Sequence, residues 1–186
     1  MNYRFFSIIV PAHNEARLID KTLSALKKID YPPDRHEIIV VENGSEDTTY
    51  EKCKKYQSTN CKILHLKDSG VSKARNFGQS QRSPKTDWCI TLDADTILRQ
   101  NFLKELNEYL SINPKITYGM ATLTPDTASL KARFWFWYRN QTDKMLRTLD
   151  TIHIVRVDLI TKVKYDETFH FTEDLRYAAE ISKFGK

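Results

Sequence analysis

Two aspartates one residue apart, Asp93 and Asp95, directly follow the apolar run WCITL, which begins at Trp88. Alternate residues of an extended chain point to the same side, so both carboxylates can face one side of a turn while Ala94 points away. Two unpaired carboxylates held this close repel each other, and one of them tends to keep a proton. Mg²⁺ or Mn²⁺ would remove that repulsion, because these ions take one or two protein carboxylates and complete their coordination with water and phosphate oxygens. The pair therefore predicts a metal site facing a phosphate-bearing ligand; the alternative is an acidic surface turn.

A second candidate group lies far along the chain, in the segment TEDL. Thr172 is predicted to be the N-cap of a helix whose first turn contains Glu173 and Asp174. The partial positive charge at a helix N-terminus favours the ionised form of a carboxylate, so Asp174 would be able to accept a proton. The alternative is that both acids only stabilise the start of the helix.

Short β-branched runs alternate with stretches of helical spacing as far as Gly119. The strand-like runs are FFSIIV, EIIVV, CKILHL, WCITL and ITYGMA, which begin at Phe5, Glu37, Cys61, Trp88 and Ile116. The first helix is predicted to have its N-cap at Asn14 and one face made of Leu18, Thr22, Ala25, Leu26 and Ile29. A later helix has a face made of Phe102, Leu106, Tyr109 and Leu110, and Asn113 and Pro114 are predicted to end it. This alternation predicts an α/β fold, a doubly wound, mostly parallel sheet with helices on both faces.

Polar and acidic segments follow the first four of these strands. They read PAHNE, ENGSED, KDSGVSKARNFG and DAD. Sheets of this kind bind ligands at the carboxyl ends of their strands, near the point where the strand order reverses. We therefore expect these segments to form one ligand site, although polar loops without a ligand have the same composition.

The composition suits a single globular domain over residues 1–186. Hydrophobic residues make up 40% of the chain, and 29 Lys and Arg against 24 Asp and Glu give a net charge of +5. This charge suits a polyanionic small ligand or an anionic membrane surface, and without zinc-finger spacings or a basic helix we expect no nucleic acid partner. Three cysteines without a C-x-x-C pair argue against a disulfide framework or a zinc site, and no run of about 18 apolar residues exists to span a bilayer. We expect a cytoplasmic protein, either soluble or peripheral at the inner face of the membrane.

Five segments together carry a more specific pattern. They are SIIVPAHNEARLI, IIVVENGSEDTT, GVSKARNFG, ITLDADTIL and YDETFHFTEDL, and the pattern extends from Ser7 to about Gly185. In this order they resemble the family 2 glycosyltransferases, inverting enzymes with the nucleotide-sugar-binding fold called GT-A. The resemblance implies a GT-A-like fold and metal-dependent transfer of a sugar from a nucleotide-diphosphate donor, a UDP-sugar, to a hydroxyl acceptor. It also implies Mg²⁺ or Mn²⁺ as cofactor and a role in surface polysaccharide or glycolipid synthesis.

The resemblance assigns roles to single residues as well. The donor-binding positions of the family correspond to Pro11, Ala12, His13, Glu15, Glu42, Asn43, Arg75, Asp93 and Asp95. Arg75 would fork onto phosphate oxygens or a base carbonyl, and His13 would lie against the base unless it is a solvated loop residue. Asp93 would lie near the ribose and the metal ion, and Asp95 would coordinate the metal ion directly. Asp174 corresponds to the catalytic base.

Asn43 departs from the family pattern, which commonly has Asp at this position to accept the imide proton of a uracil. An amide offers both a donor and an acceptor, so Asn43 can still pair with a pyrimidine, but the identity of the base becomes less certain. The residues that follow, Ser45, Glu46 and Asp47, are more simply interpreted as helix-capping residues.

An inverting transfer needs one base and no enzyme nucleophile. The acceptor hydroxyl attacks the anomeric carbon from the face opposite the departing nucleotide, and the base, Asp174 by the resemblance, removes the hydroxyl proton. A metal ion held by Asp93 and Asp95 would stabilise the negative charge that develops on the leaving diphosphate.

Residues 1–120 are assigned to donor binding and residues 121–186 to the acceptor side. Residues 127–149 are predicted to form one helix, with a stripe of Leu130, Phe134, Trp137 or Tyr138, Gln141, Met145 and Leu149. In this helix Phe134, Trp135, Phe136, Trp137 and Tyr138 lie in a row between two arginines. Only one stripe of a helix can face a core, whereas this row places aromatic groups on every side of the helix. The alternatives for the row are core packing, a protein interface, and contact with a membrane or a lipid-linked acceptor.

Two other function classes compete with the transferase. A module of the same fold that binds a nucleotide sugar without turnover is compatible with Asn43. A nucleotidyltransferase is disfavoured because PAHNEARLIDK lacks a Gly-rich, Lys-bearing phosphate loop. The chain also lacks the Q-x-x-R-W segment of polymerising family members, which argues against a processive synthase; a truncated or minimal domain is the alternative explanation.

Overall fold

Six strands form one sheet within the described part of the chain. The computed structural model describes residues 2–125, 127–146, 152–168 and 172–184, and of residues 143–146 it describes the backbone alone. The strands are β1 (Phe6–Ala12), β2 (His36–Asn43), β3 (Cys61–Leu66), β4 (Trp88–Leu92), β5 (Tyr118–Met120) and β6 (Ile152–Arg156). The helices are α1 (Ile19–Lys27), α2 (Thr49–Lys54), α3 (Val71–Ser80), α4 (Phe102–Ile112), α5 (Leu130–Leu146), α6 (Val157–Ile160) and α7 (Glu173–Ile181), with a 3₁₀ turn at Pro33–Arg35.

The sheet is mostly parallel, as predicted, with the strand order β3-β2-β1-β4-β6-β5. Ile8 of β1 lies opposite Ile38 of β2 and Ile90 of β4, and β3 extends this parallel block beyond β2. β6 runs antiparallel to both β4 and β5. The central strands read as continuous apolar runs because helices cover both of their faces.

The two faces of β1 belong to different parts of the core. Ile8 and Val10 pack on one face with α1 and α4, whereas Ile9 packs on the other face with Ala74 of α3. This division follows from the alternation of side chains along a strand. Each such apolar side chain contributes about 1.5–3 kcal/mol when it is fully buried. The prediction of helices on both faces of an α/β sheet is therefore confirmed.

Helix α3 lies unusually close to the sheet at Gly78. A Cβ atom at this position would lie 2.4 Å from Ile9 Cγ2 and 3.0 Å from Val41 Cγ2. Glycine therefore permits a backbone approach that any side chain would block. The approach matters for the site because α3 also carries Arg75.

The predicted start of the first helix is wrong. Helix α1 begins at Ile19, and Asn14 lies in the preceding loop with φ of 55°, where its side chain accepts a hydrogen bond from Glu46 N at 2.9 Å. The predicted buried face is also wrong at Leu18, which is 38% exposed, whereas Ile19 and Leu23 are buried. Asn tolerates the left-handed conformation and bonds to backbone readily, so it serves a loop as well as a helix cap.

Two other helices differ in detail from their predictions. Asn113 is the C-cap of α4, as predicted, but Tyr109 is 55% exposed rather than part of the buried face. Thr172 does occupy the N-cap position of α7, although with φ of 62° and without a side-chain capping bond.

Helix α5 spans Leu130–Leu146 within the predicted range of 127–149. The predicted stripe positions Met145 and Leu149 lie outside the described side chains. Among the described residues, no helix combines the length and the apolar character needed to cross a membrane.

Candidate active site

The acidic pair lies in the turn that follows β4, at the carboxyl edge of the sheet. Ala94 is buried, and its carbonyl oxygen accepts a hydrogen bond from Thr22 Oγ1 of α1 at 2.7 Å. Asp95 is exposed, and the side chain of Asp93 is 33% exposed. The core contact of Ala94 thus holds the turn so that both flanking carboxylates remain accessible.

A hollow of about 310 Å³ opens beside this turn. It is lined by Pro11, His13, Glu15, Asn43, Gly70, Val71, Asp93, Ala94 and Asp95. Strands β1, β2 and β4 each contribute their carboxyl ends, as expected for a parallel sheet near the reversal of its strand order. Most of the donor-binding positions predicted from the sequence therefore meet at one hollow.

The side chains that line the hollow carry more negative than positive charge. Burial raises the pKa of Glu15, and the neighbouring carboxylates of Asp95, Asp47 and Asp93 raise it further. Burial also raises the pKa of Asp93 to about 6, with Arg75 acting in the opposite direction. Carboxylates gathered this closely provide a site where a divalent cation is favoured.

Asn43 joins three segments of the wall. Its amide is satisfied when Nδ2 donates to the Ala12 carbonyl oxygen at 2.7 Å and Oδ1 accepts from Gly70 N at 3.1 Å. The backbone carbonyl oxygen of Asn43 lies 2.8 Å from His13 Nδ1. One N–H and one lone pair of the amide remain for a ligand after these contacts.

Three predicted donor-binding residues do not line the hollow: Ala12, Glu42 and Arg75. Ala12 is buried in the core and reaches the site only through its carbonyl oxygen. Glu42 is also buried, with Oε1 accepting from Ser45 N at 2.6 Å and Oε2 lying 2.5 Å from His65 Nδ1. In this arrangement Glu42 supports the loop after β2 rather than facing a ligand.

The loop after β2 is held to the loop after β1. Ser45 Oγ accepts from Asn14 N at 3.0 Å. Asp47 Oδ1 accepts from the backbone N–H of Thr49, the first residue of α2, at 2.9 Å. Asp47 therefore supports the start of α2 from the position before its N-cap, Thr48. The capping prediction is wrong for Ser45 and Glu46, which bond to Asn14 instead.

Arg75 lies behind the hollow, where it contacts three carboxylates although its side chain is only 3% exposed. Nη2 donates to Asp93 Oδ1 at 3.1 Å, and Nη1 donates to Glu173 Oε1 at 3.1 Å and lies 2.7 Å from Asp174 Oδ1. The guanidinium also lies 5.1 Å from the ring centroid of Tyr165, a cation–π contact. Arg75 thus connects the acidic pair to the start of α7.

Asp174 is buried at the first turn of α7 and does not line the hollow of about 310 Å³. Its Oδ1 atom lies 2.7 Å from Arg75 Nη1 and 3.2 Å from His153 Nε2. Asn76, next to Arg75, clamps the segment before α7, because its amide donates to Tyr165 O at 2.9 Å and accepts from Tyr165 N at 3.0 Å. Through Arg75, the predicted base is thus a neighbour of one predicted metal ligand, Asp93.

Several residues of this buried network were not predicted from the sequence: Tyr118, His153, Tyr165 and Tyr177. Tyr118 Oη lies 2.9 Å from His153 Nδ1, and the rings of Tyr165 and Tyr177 stack with centroids 3.8 Å apart. The available signal was a single polar residue, His153, between Ile152 and Ile154 in an apolar strand. A polar group in such a strand needs a buried partner, and the sequence does not identify that partner.

A second hollow, of about 990 Å³, adjoins the same acidic turn. Besides Asp93 and Asp95, its lining includes Lys21, Arg99, Phe102, Met120, Phe136 and Arg139. Phe136 is the member of the aromatic row that faces this hollow. Phe134, Trp135, Trp137 and Tyr138 are 51–65% exposed, so the core-packing alternative is wrong for these four.

Comparison with known proteins adds the following similarities. A family model, "Glycosyl transferase family 2", matches residues 7–167. The glycosyltransferase AglE of Haloferax volcanii is 39% identical over 103 residues, which are 54% of this chain and 33% of AglE. The poly(ribitol-phosphate) β-N-acetylglucosaminyltransferase TarS of Staphylococcus aureus is 30% identical over 108 residues, 56% of this chain and 18% of TarS. The chain thus spans a third or less of these two relatives.

Solved structures show the same fold at lower sequence identity. TarS residues 1–349 in complex with UDP-GlcNAc match with a TM-score of 0.76 and 21% identity, over 95% of this chain and 53% of that one. The mannosyltransferase PcManGT of Pyrobaculum calidifontis, in complex with GDP-Man and Mn²⁺, matches with a TM-score of 0.77 and 18% identity, over 100% of this chain and 54% of that one.

Proposed function

This chain belongs to glycosyl transferase family 2, and from that membership we propose that it is a metal-dependent, inverting glycosyltransferase. It moves a sugar from a nucleotide-diphosphate donor, a UDP-sugar, to a hydroxyl acceptor. The observation that carries the proposal is the convergence of Glu15, Asp93 and Asp95 on one hollow at the carboxyl edge of the sheet. A diphosphate with its metal ion fits such a site better than any uncharged ligand, because the cation removes the repulsion between the carboxylates.

The side chains of Asp93 and Asp95 are the ones that would hold Mg²⁺ or Mn²⁺. Within the described residues no three His, Cys, Asp or Glu side chains are grouped closely enough to hold a metal ion without other ligands. Two carboxylates suffice for an ion that takes its remaining ligands from water and substrate phosphates, as Mg²⁺ usually does. The bound ion would stabilise the charge that develops on the leaving diphosphate.

The nucleoside would occupy the side of the hollow that His13 and Asn43 line. UDP is proposed because the free N–H and lone pair of the Asn43 amide can pair with a pyrimidine edge. TarS, which has the same fold, was solved with UDP-GlcNAc, whereas PcManGT was solved with GDP-Man. GDP is therefore the alternative that a binding experiment must include.

Asp174 would act as the base that removes the proton of the attacking hydroxyl. Its Oδ1 atom lies 2.7 Å from Arg75 Nη1, so the carboxylate has a buried cation beside it. A donor diphosphate beside Asp93 would offer Arg75 a competing anion, and guanidinium groups bind phosphate oxygens strongly. Such competition would loosen the pair and make Asp174 accessible to the acceptor.

Residues 1–120 would bind the donor and residues 121–186 would contribute the acceptor side of one domain. The hollow of about 990 Å³ joins the two parts at Asp93 and Asp95 and is large enough for an acceptor. A surface polysaccharide or glycolipid is the proposed acceptor class, in keeping with TarS, which is a poly(ribitol-phosphate) β-N-acetylglucosaminyltransferase. The exposed aromatic residues of α5, together with Lys131 and Arg133, would contact the inner face of an anionic membrane from the cytoplasm.

A module that binds the donor without turnover remains the second candidate. Two observations favour it: the Asn43 amide already serves two backbone groups, and Asp174 is held in an ion pair. Donor binding alone does not distinguish the two candidates, so turnover must be measured as well.

The first experiment is a thermal-shift measurement with UDP, GDP and dTDP, each with and without Mn²⁺. A ligand at about 100 times its Kd adds about 2.7 kcal/mol to the free energy of unfolding. We expect the largest shift for UDP with Mn²⁺ and loss of the Mn²⁺-dependent part in Asp95→Ala. Asp34→Ala, at an exposed position far from the hollow, is the matched control. Mn²⁺-dependent binding that survives in Asp95→Ala would contradict the metal assignment.

The second experiment separates the transferase from the binding module. UDP release from a UDP-sugar is followed in the wild type and in Asp174→Asn, first with water and then with candidate hydroxyl acceptors. The transferase proposal expects Asp174→Asn to bind UDP normally and to release it at least about 10²-fold more slowly. A wild type that binds UDP but releases none from any UDP-sugar would favour the binding module.

A further inference from the structure

His153 is a fully buried polar residue in the middle of β6, and tyrosine rings surround it. Tyr118 of β5 stacks on it at 6.0 Å between ring centroids, while Tyr165 and Tyr177 meet it edge-on at 6.1 Å and 5.6 Å. A phenylalanine would fill such a space with no polar atom to satisfy. The choice of histidine therefore calls for an explanation in terms of its two nitrogens.

The two ring nitrogens have different neighbours. Nδ1 lies 2.9 Å from Tyr118 Oη, and Nε2 lies 3.2 Å from Asp174 Oδ1. Within the described residues neither Nε2 nor Oδ1 has an aligned hydrogen-bond partner, although the distance between them is short. In a neutral ring protonated on Nδ1, a lone pair on Nε2 would lie close to the carboxylate, which is unfavourable. A proton on Nε2 removes this repulsion, and Nδ1 can then accept a hydrogen bond from the Tyr118 hydroxyl.

Both close neighbours of Asp174 converge on the same oxygen. Arg75 Nη1 and His153 Nε2 lie 2.7 Å and 3.2 Å from Oδ1, so we assign the incoming proton to the other oxygen, Oδ2. Arg75 also contacts Asp93 and Glu173, so its position depends on the donor side of the site. His153 lies in β6 and contacts Tyr118, so its position does not depend on the donor. It can therefore hold the carboxylate of Asp174 in one orientation whether or not the donor is bound.

We propose that His153, with its proton on Nε2 and Tyr118 as the donor to Nδ1, is a positioning residue that holds Asp174 Oδ1 and directs Oδ2 toward the acceptor hydroxyl. This inference rests on the proposed function, since it assigns a partner to the proposed base. Of Asp174, His153 and Tyr118, it takes Asp174 as the one that touches the substrate.

The position of the proton is tested by ¹⁵N–¹H multiple-bond NMR of the histidine rings in the intact chain, with His153→Gln identifying the signal. We expect a single Nε2–H tautomer in the wild type and a mixture of tautomers in Tyr118→Phe, which removes only the hydroxyl. A predominant Nδ1–H tautomer in the wild type overturns the proposal.

The positioning role is tested by the rate of UDP release from UDP-GlcNAc with Mn²⁺, with water as acceptor. His153→Phe keeps a ring of similar volume, and we expect kcat to fall about tenfold or more while KM for UDP-GlcNAc stays within about twofold. His153→Gln places an amide N–H near the position of Nε2 and should recover most of the lost kcat. Equal losses in both variants overturn the proposal, and Tyr118→Phe repeats the test if His153→Phe does not fold.

The proposed function and the positioning role of His153 fail in different ways. A wild-type chain that binds neither UDP nor any UDP-sugar refutes the proposed function, and the positioning role fails with it. A chain that binds and hydrolyses UDP-GlcNAc, but does so as fast in His153→Phe as in the wild type, refutes the positioning role alone.

Discussion

Asp93 and Asp174 lie on opposite sides of one guanidinium group. Arg75 Nη2 donates to Asp93 Oδ1 at 3.1 Å, and Arg75 Nη1 lies 2.7 Å from Asp174 Oδ1. The residue proposed to bind metal and ribose and the residue proposed to act as base are therefore coupled by a buried cation. A change at the donor side can reach the base without any movement of the sheet.

Removal of the Arg75 guanidinium should destabilise the fold strongly. Arg75→Ala leaves Glu173 and Asp174 without their buried cation, and breaking a buried ion pair from one side costs about 3–5 kcal/mol. Urea unfolding measures this loss. Arg99→Ala is the control, because Arg99 pairs with Glu105 in an exposed position where such pairs are worth less than about 1 kcal/mol. Similar losses in the two variants would show that the Arg75 network does not stabilise the fold.

Gly78→Ala should destabilise the protein and disturb Arg75 at the same time. The new Cβ would lie 2.4 Å from Ile9 Cγ2, so α3 must move away from the sheet. Overpacking of this kind costs about 1–3 kcal/mol. Gly119→Ala is the matched control, since a Cβ there meets nothing within 4 Å. Chemical denaturation of both variants checks the prediction, which is wrong if Gly78→Ala is as stable as Gly119→Ala.

The stability should fall as the pH drops below neutrality, and His36 should account for part of the fall. Burial lowers the pKa of His36 in the folded chain, where Nδ1 lies 3.0 Å from Pro32 O. The unfolded chain binds this proton near the ordinary pKa of about 6.5, so it holds more protons than the folded chain just below that pH. Folding free energy is therefore lost as the pH falls through this window.

His36→Phe tests the assignment to this residue. Its free energy of unfolding should decrease less steeply between about pH 7 and pH 5 than that of the wild type, because it has no proton to gain. Urea titrations at several pH values provide the slopes. Identical slopes would mean that other groups account for the whole dependence.

The aromatic surface of α5 should bind anionic lipid vesicles. Trp135 and Trp137 are 60% and 58% exposed, and Lys131 and Arg133 beside them are exposed cations. Replacing both tryptophans with alanine should weaken binding about tenfold or more, since each bulky apolar side chain contributes over 1 kcal/mol when buried. Vesicle sedimentation measures the partitioning. Tyr109→Ala removes a comparably exposed aromatic side chain from α4 and should leave binding unchanged; equal weakening there would argue against a specific membrane surface.

Much of the fold followed from local patterns. The apolar runs around Ile8, Ile38 and Ile90 became neighbouring parallel strands because continuous hydrophobic strands must be buried on both faces. Details at element ends were less predictable. Asn14 suits a helix cap and a left-handed loop equally well, and the contact with Glu46 N across the loops decided between them.

The residues of the site also divide into those that local patterns predict and those that they do not. By itself the sequence determined that Asp93 and Asp95 follow a buried strand and that Asp174 lies in the first turn of a helix, because strand alternation and helix capping depend on neighbouring residues. Only the tertiary structure decided that Arg75 joins Asp93 to Asp174 and that His153 and Tyr118 support Asp174. Those contacts connect α3, β5, β6 and α7, and contacts between distant segments arise from how the elements pack, which local propensities do not specify.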